Sequence, residues 1–352
     1  MDTVTCFVGL DYHQDAVQVC VLDGSGRQLL NRSCPNDWRR IAEAAASVGR
    51  VKRAAVEACC GAADLSEELL AKAGWHVDLA HVDLAHPGYV ERMKRSPDKT
   101  DFTDGRMLAD LTRVGYLPKV WLASAYERDL RQLANHRQAL VDQRRAAKLR
   151  VGALLREHRA KPPGAGAGSP PGAGSPPRWT KAWVAWARSA RELSEHARWI
   201  VADLLADITH LDGKVLAADA RLRAATAHDP VVERLMNERG VGEVTAWVLR
   251  AFVGRFDRFA GGKQLSRYCG LSPCNASSGE RQADAGLVRG CNKLLRATLV
   301  QAAHRLIRTE PRWRELAGSM RARGKPGSVI AAAVANRWAR GLWHRMTEGA
   351  MR

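Results

Sequence analysis

A chain of 352 residues carries 55 Lys and Arg against 37 Asp and Glu, a formal net charge of +18, with 46% hydrophobic and 26% charged residues. That mix is globular rather than disordered or fibrous, and the length allows two or three domains around sizeable cores. No apolar run reaches bilayer length and no basic N-terminal region leads into an apolar stretch, so a cytoplasmic protein with no membrane segment is expected.

The charge is unevenly spread. Residues 286–352 hold 14 Lys and Arg against 3 Asp and Glu, a concentration beyond what solubility asks, and it points to a polyanionic partner. Cysteines stand at 6, 20, 34, 59, 60, 269, 274 and 291, and no two have C-x-x-C spacing. This argues against a zinc site and for reduced, mostly buried thiols.

Residues 4–10 (VTCFVGL) and 16–22 (AVQVCVL) read as strands joined by a turn over 11–15, and 28–33 as a third after a Gly-Ser-Gly turn. A helix is expected over 38–47, a buried strand ending on a carboxylate over 51–57, a helix over 65–73 closed by Gly74, and a strand over 75–80. Three strands in succession followed by alternating helix and strand indicate a mixed sheet with helices packed on it. The pentapeptide VDLAH occurs at 77–81 and again at 82–86; five is odd, so the second copy would turn its side chains to the wrong face and is expected to bulge out near the strand end.

Residues 124–159 form a long helix with apolar Leu130, Leu133, Leu140, Ala147, Val151 and Leu154, interrupted by Arg137 and Arg144. Residues 191–225 form a second, with Ile200, Leu204, Ile208, Leu211, Val215, Ala218 and Leu222. The two suggest an antiparallel coiled coil around a Pro/Gly-rich tip at 161–177, where GAGSPP is repeated. Trp179, Trp183 and Trp186 near that tip read as packing rather than base stacking. Residues 235–249 (LMNERGVGEVTAWVL) have the form helix, Gly-Val-Gly turn, helix; the turn serves either a phosphate or a tight helix junction. A last basic helix is expected over about 291–307.

Four acids stand where chemistry could use them. Asp11 ends the first strand and Glu57 the later buried one, while Asp101 and Asp104 in KTDFTDGRMLAD share a face at a helix start. Asp98 reads as that helix's N-cap. Converging carboxylates bind Mg²⁺ (or Mn²⁺), and phosphodiester chemistry uses such a cation to neutralise charge; the layout is that of a ribonuclease-H-like (RuvC-like) sheet. Lys99 and Arg106 flank the pair as phosphate contacts or as surface charge. Farther on, GLSPCNASSG (270–279) is a loop with three serines, followed by Arg289, Lys293 and Arg296. A serine facing such cations suits attack on a phosphodiester. Ser272 precedes Pro273 and reads as held by the turn; Ser277 and Ser278 are alike on physical grounds, with Gly279 slightly favouring its neighbour.

Taken in order, VGLDYH, VEACCG, KTDFTD, GLSPCNASSG and GCNKLLRATLVQAA resemble the DEDD insertion-sequence transposases, the bridge-RNA-guided serine recombinases, across almost the whole chain. The resemblance implies an α/β plus α architecture: a RuvC-like domain over 1–122, a coiled coil over 123–227 and a mainly helical serine-bearing domain over 228–352. It implies that Asp11, Glu57, Asp101 and Asp104 hold metal and that Ser278 is the nucleophile, forming a covalent phosphoserine link to DNA. It further implies donor and target DNA chosen by an element-encoded guide RNA, a homo-oligomer built as a dimer of dimers, and a nucleoid-associated location. Gly105 departs from the alanine common in the family after the second aspartate. Two other readings compete: a metal-only junction nuclease with a structural serine loop, and a degenerate, non-catalytic nucleic-acid-binding copy.

Overall fold

A computed structural model describes residues 4–75, 77–80, 100–117, 119–164, 175–275 and 284–348. The chain divides into two compact units, residues 1–123 and 124–352.

The first unit is built on a six-stranded sheet of order β3-β2-β1-β4-β5-β6. Its strands are β1 (Thr5–Tyr12), β2 (Ala16–Asp23), β3 (Gln28–Pro35), β4 (Arg50–Glu57), β5 (Val77–Ala80) and β6 (Lys119–Val120). Strands β1, β2 and β3 form an antiparallel meander; β4 and β5 add in parallel beside β1, and β6 is antiparallel at the edge. Helices α1 (Trp38–Ala46), α2 (Ala62–Lys72) and α3 (Asp101–Arg113) pack on it. The expected elements are present, with ends shifted by one to three residues.

Side chains alternate across a strand, so parity decides which face each serves. Val8, Leu10, Val17, Val19, Val21, Ala54 and Val56 pack with Ile41 of α1 and with Leu65 and Leu69 of α2. Their neighbours one residue away take the opposite face: Cys20 and Leu22 meet Ala109 of α3, and Ala55 meets Leu108. Gly9, Asp11 and Glu57 belong by parity to this α3 face. The first VDLAH copy overlaps β5, with Glu57 opposite Ala80, and the second copy lies outside the described residues.

The second unit begins with α4 (Ala125–Glu157), which Ser124 and Glu127 start with a capping box. It runs against α6 (Glu195–Ala225), with short α5 (Lys181–Ser189) packed on α6 near the far end. Leu140, Val215 and Ala218 fill the middle of the pair. At the far end Val151, Leu155, Val201 and Leu205 pack with Trp183, which is buried, and with the partly buried Trp179 and Trp186. The tryptophans are packing residues here, as read from their spacing.

Arg137 and Arg144, which interrupt the apolar stripe, are bound to Asp219 and Asp212 of α6. A step of seven residues forward on one helix matches seven backward on the other, as antiparallel pairing requires. These ion pairs therefore set the register of the seam. Arg137 and Asp219 are 17% and 21% exposed, so the pair is largely shielded from solvent. Arg137→Ala is expected to destabilise this unit by about 2 kcal/mol, because Asp219 is left unpaired. Urea unfolding of Arg137→Ala, Asp219→Ala and the double variant checks it; additive losses would deny the coupling.

At its near end the coiled coil shares a core with the remaining helices. Leu130, Ala134 and Leu222 pack with residues of α7 (Pro230–Met236), α8 (Glu243–Phe252), α9 (Gly262–Tyr268), α10 (Lys293–Thr309), α11 (Pro311–Ala322) and α12 (Gly327–Thr347). The ionic foot of that core is Arg250, whose Nε and Nη1 lie 2.6 Å from Asp229 and 2.5 Å from Glu127. Between α7 and α8, Gly240 has φ +86° and a Cβ there would come 2.7 Å from the Leu306 side chain. The glycine turn is thus accounted for by close packing on α10. The last basic helix of the sequence reading starts at Lys293 rather than Cys291, because Asn292 caps it by accepting from the Leu295 N–H. Among the described residues no helix is long and apolar enough to cross a membrane.

Candidate active site

Residues Leu10 and Val56 are paired across the parallel strands β1 and β4, which sets Asp11 beside Glu57 at the same end of the sheet. Helix α3 brings the other two acids. Its N-cap is Thr100, which forms a capping box with Thr103; this corrects the reading of Asp98 as the cap, and Asp98 lies outside the described residues. Asp101 is therefore the first helical residue and Asp104 falls one turn on, on the same side. A bare backbone contact permits the approach. A Cβ on Gly9 would overlap the Gly105 carbonyl oxygen and the Ala109 nitrogen, so α3 rests directly on β1 two residues before Asp11. Gly105 itself is less constrained: a Cβ there would meet Gln18 and Cys20 at 3.5 and 3.6 Å, ordinary contact distances.

Asp11 feels the charge of the other three carboxyls. Burial, the largest cause, pushes Asp11 up to about 6; nearby His13 pulls it down, and Glu57, Asp101 and Asp104 push it further up. Asp11 is 6% exposed, whereas the Asp101 side chain is 64% exposed. Asp11 is an anchored, buried carboxylate with three more within electrostatic reach, and oxygen donors of this kind suit a hard divalent cation. His13 adds a nitrogen. Its Nε2 lies 3.3 Å from Asp101 Oδ2 and 3.6 Å from Asp11 Oδ2, and among the described residues these three form a group compact enough to hold a metal. The sequence reading left His13 without a role, although it stands two residues after Asp11 in VGLDYH.

The cationic residues differ in what they touch. Lys99 lies outside the described residues. Arg106 is exposed, with Nη1 3.4 Å from Gln28 Oε1 of β3, so it lies over the sheet edge. In the second unit Arg289 and Lys293 are exposed. Arg296 instead donates to the Val288 carbonyl, and a Cβ on Gly270 would sit 2.5 Å from its Nη2. It braces both ends of the serine hairpin, where the sequence suggested only a phosphate contact.

That hairpin is β7 (Pro273–Asn275) and β8 (Asp284–Leu287), and residues 276–283 between them, including Ser277 and Ser278, lie outside the described residues. Ser272 is fixed by more than its turn: its Oγ is 3.2 Å from Ser266 Oγ and 3.4 Å from Asn336 Nδ2. Asn336 of α12 also donates to the Leu271 carbonyl at 3.0 Å. The strand leading to the two candidate serines is thereby tied to the helical core. Cys6, Cys20, Cys34 and Cys269 are buried, Cys59 and Cys60 exposed, and all eight thiols are free.

These features are compatible with a DEDD-type acidic domain of a transposase. Residues 8–159 match the DEDD transposase family of IS110 elements, and residues 232–317 match the transposase family IS116/IS110/IS902, together more than half the chain. The chain belongs to the IS110/IS116 family of insertion-sequence transposases. It is similar to the transposase for insertion sequence element IS1111A of Coxiella burnetii, 24% identical over 97% of this chain and 89% of that protein. It is also similar to the transposase for insertion sequence element IS1328 of Yersinia enterocolitica, 25% identical over 84% of each. A putative transposase, y4qE, of Sinorhizobium fredii is 26% identical over 73% of this chain and 67% of its own length.

Proposed function

We propose that this transposase is an RNA-guided DNA recombinase that cuts and rejoins strands through a phosphoserine link. The observation that supports it most is that Glu57, Asp101 and Asp104 all lie within electrostatic reach of the buried Asp11, in a domain whose strand order fits a ribonuclease-H-like (RuvC-like) sheet. Asp11, rigid and buried, orients the site; Glu57 stands beside it; Asp101 and Asp104 close it from α3. A divalent cation bound there, Mg²⁺ or Mn²⁺, supplies charge neutralisation at the reacting phosphate.

Ser278 Oγ attacks the phosphorus of a DNA phosphodiester. An O–P bond to serine forms as the bond to one deoxyribose oxygen breaks, and that oxygen leaves carrying a proton as a hydroxyl. A hydroxyl of the exchanged strand then displaces the serine and restores it. Arg289 and Lys293, with Lys99 and Arg106, offer charge to the DNA backbone, while Arg296 holds the hairpin. Donor and target are chosen by a guide RNA, and the protein works as a dimer of dimers with the acids of one subunit serving the serine of another. Residues 1–122, 123–227 and 228–352 carry the acids, the coiled coil and the serine respectively.

A plasmid recombination assay with the element's RNA tests this. Ser278→Ala is expected to lower strand exchange by about 1,000-fold or more, and to abolish the protein–DNA adduct seen on a denaturing gel. Full activity in that variant sinks the nucleophile. Cation-dependent cleavage by the native chain with no adduct would favour the metal-only junction nuclease, and no recombination above background would favour the degenerate copy.

A further inference from the structure

We infer that His13 is a ligand of the same cation and that its nitrogen biases the site towards Mn²⁺ over Mg²⁺. The inference rests on the reading of Asp11, Glu57, Asp101 and Asp104 as a cation site, and adds to it a fifth donor of different chemistry.

The backbone of His13 is tied on two sides. Its N–H donates to the Ala16 carbonyl at 2.9 Å, closing the turn between β1 and β2. Its own carbonyl accepts from Asn36 Nδ2 at 3.2 Å. The ring is turned back over the end of β1, where Nε2 faces Asp101 and Asp11 at 3.3 and 3.6 Å. Ligand atoms of the three residues all lie within 4.8 Å of one another. Around an ion held at about 2.1 Å, neighbouring octahedral donors are about 3.0 Å apart and opposite ones about 4.2 Å. The two His13 separations need adjustments of only tenths of an ångström to meet that geometry. Asp101 and His13 are exposed enough to make them.

Donor type then decides selectivity. Mg²⁺ prefers oxygen and keeps its waters, whereas imidazole adds affinity for first-row transition ions. An all-carboxylate site would leave the two ions separated only by size and coordination geometry. A site with one imidazole should separate them by at least tenfold. If His13 serves only as an ion-pair partner of Asp101, its nitrogen never reaches the metal and no such bias exists.

The full-length protein is titrated with Mn²⁺, following free ion by electron paramagnetic resonance, with Mg²⁺ measured by competition. Pulsed resonance reports whether a nitrogen nucleus couples to bound Mn²⁺. The native chain is expected to show that coupling and to bind Mn²⁺ at least tenfold more tightly than Mg²⁺. His13→Asn, at an exposed turn, is expected to lose the coupling, to bind Mn²⁺ at least tenfold more weakly, and to change Mg²⁺ binding less than threefold. Two native-like metal affinities without coupling, or an unchanged Mn²⁺ to Mg²⁺ ratio in His13→Asn, overturn the role of His13 alone. Failure of the native chain to bind either ion, or Asp11→Asn retaining both, overturns the cation site beneath it.

Discussion

An Asp11→Asn chain is expected to lose strand exchange by about 1,000-fold or more while gaining stability in metal-free buffer near neutral pH. The two effects share one cause. Asp11 titrates near 6 in the folded protein against an ordinary 3.8, chiefly because it is buried and also because Glu57, Asp101 and Asp104 stand close. A folded-state value above the unfolded one means that the bound proton favours the folded chain. That contribution is complete below about pH 4 and is lost as pH rises through 6. At pH 7 the native chain therefore bears an ionised, crowded carboxylate that asparagine lacks, a difference of about 2 kcal/mol. Thermal unfolding in chelator at several pH values between 4 and 8 checks this. The native chain should lose stability relative to the variant across that window, the gap opening as pH rises through 6. Divalent cation should restore the native chain at pH 7 and leave the variant unmoved. A gap between the two chains that stays constant or closes from pH 4 to 7 without metal would refute the account.

Gly9→Ala is expected to have the largest effect on the first unit, about 3 kcal/mol or more, and to disassemble the acid cluster. The added methyl meets backbone, the Gly105 carbonyl oxygen and the Ala109 nitrogen, and backbone inside a helix cannot rotate aside. Helix α3 must lift from β1, carrying Asp101 and Asp104 away from Asp11. Gly105→Ala is the matched control across the same contact. Its methyl would sit in ordinary contact with Gln18 and Cys20, and alanine raises helix propensity by about 1 kcal/mol, so that variant should be as stable as the native chain or slightly more so. Unfolding midpoints and Mn²⁺ affinity for both variants separate the cases. Equal behaviour would mean that the helix–strand contact does not hold the site together.

Nothing among the described residues requires a glycine at Gly105. Alanine would fit there in ordinary van der Waals contact with Gln18 and Cys20. Of the two, the position that admits no side chain is Gly9, and it lies in plain view in VGLDYH. Its meaning was hidden because nothing in a strand pattern says which helix will lie across it.

Period-2 alternation was enough to find β1, β2 and β4, and to put Asp11 and Glu57 near strand ends. Heptad spacing was enough to find the two long helices. Local pattern failed where a partner distant in sequence sets the outcome. Arg137 and Arg144 looked like breaks in an apolar stripe until Asp219 and Asp212 faced them across the antiparallel pair. Arg296 carries no sign in its sequence of the bond its guanidinium donates to the Val288 carbonyl. Asp98 looked like a helix cap, yet Thr100 and Thr103 satisfy the first turn between them.

By itself, then, the sequence determined the class of the chain, the order of its elements and the positions of four candidate acids, because periodicity, charge and short motifs are local properties. Only the tertiary structure decided which acids share a face, that Gly9 is the point of closest approach, and that His13 leans over Asp11 and Asp101. Those depend on strand register and on one helix crossing a sheet, and such contacts join residues tens of positions apart.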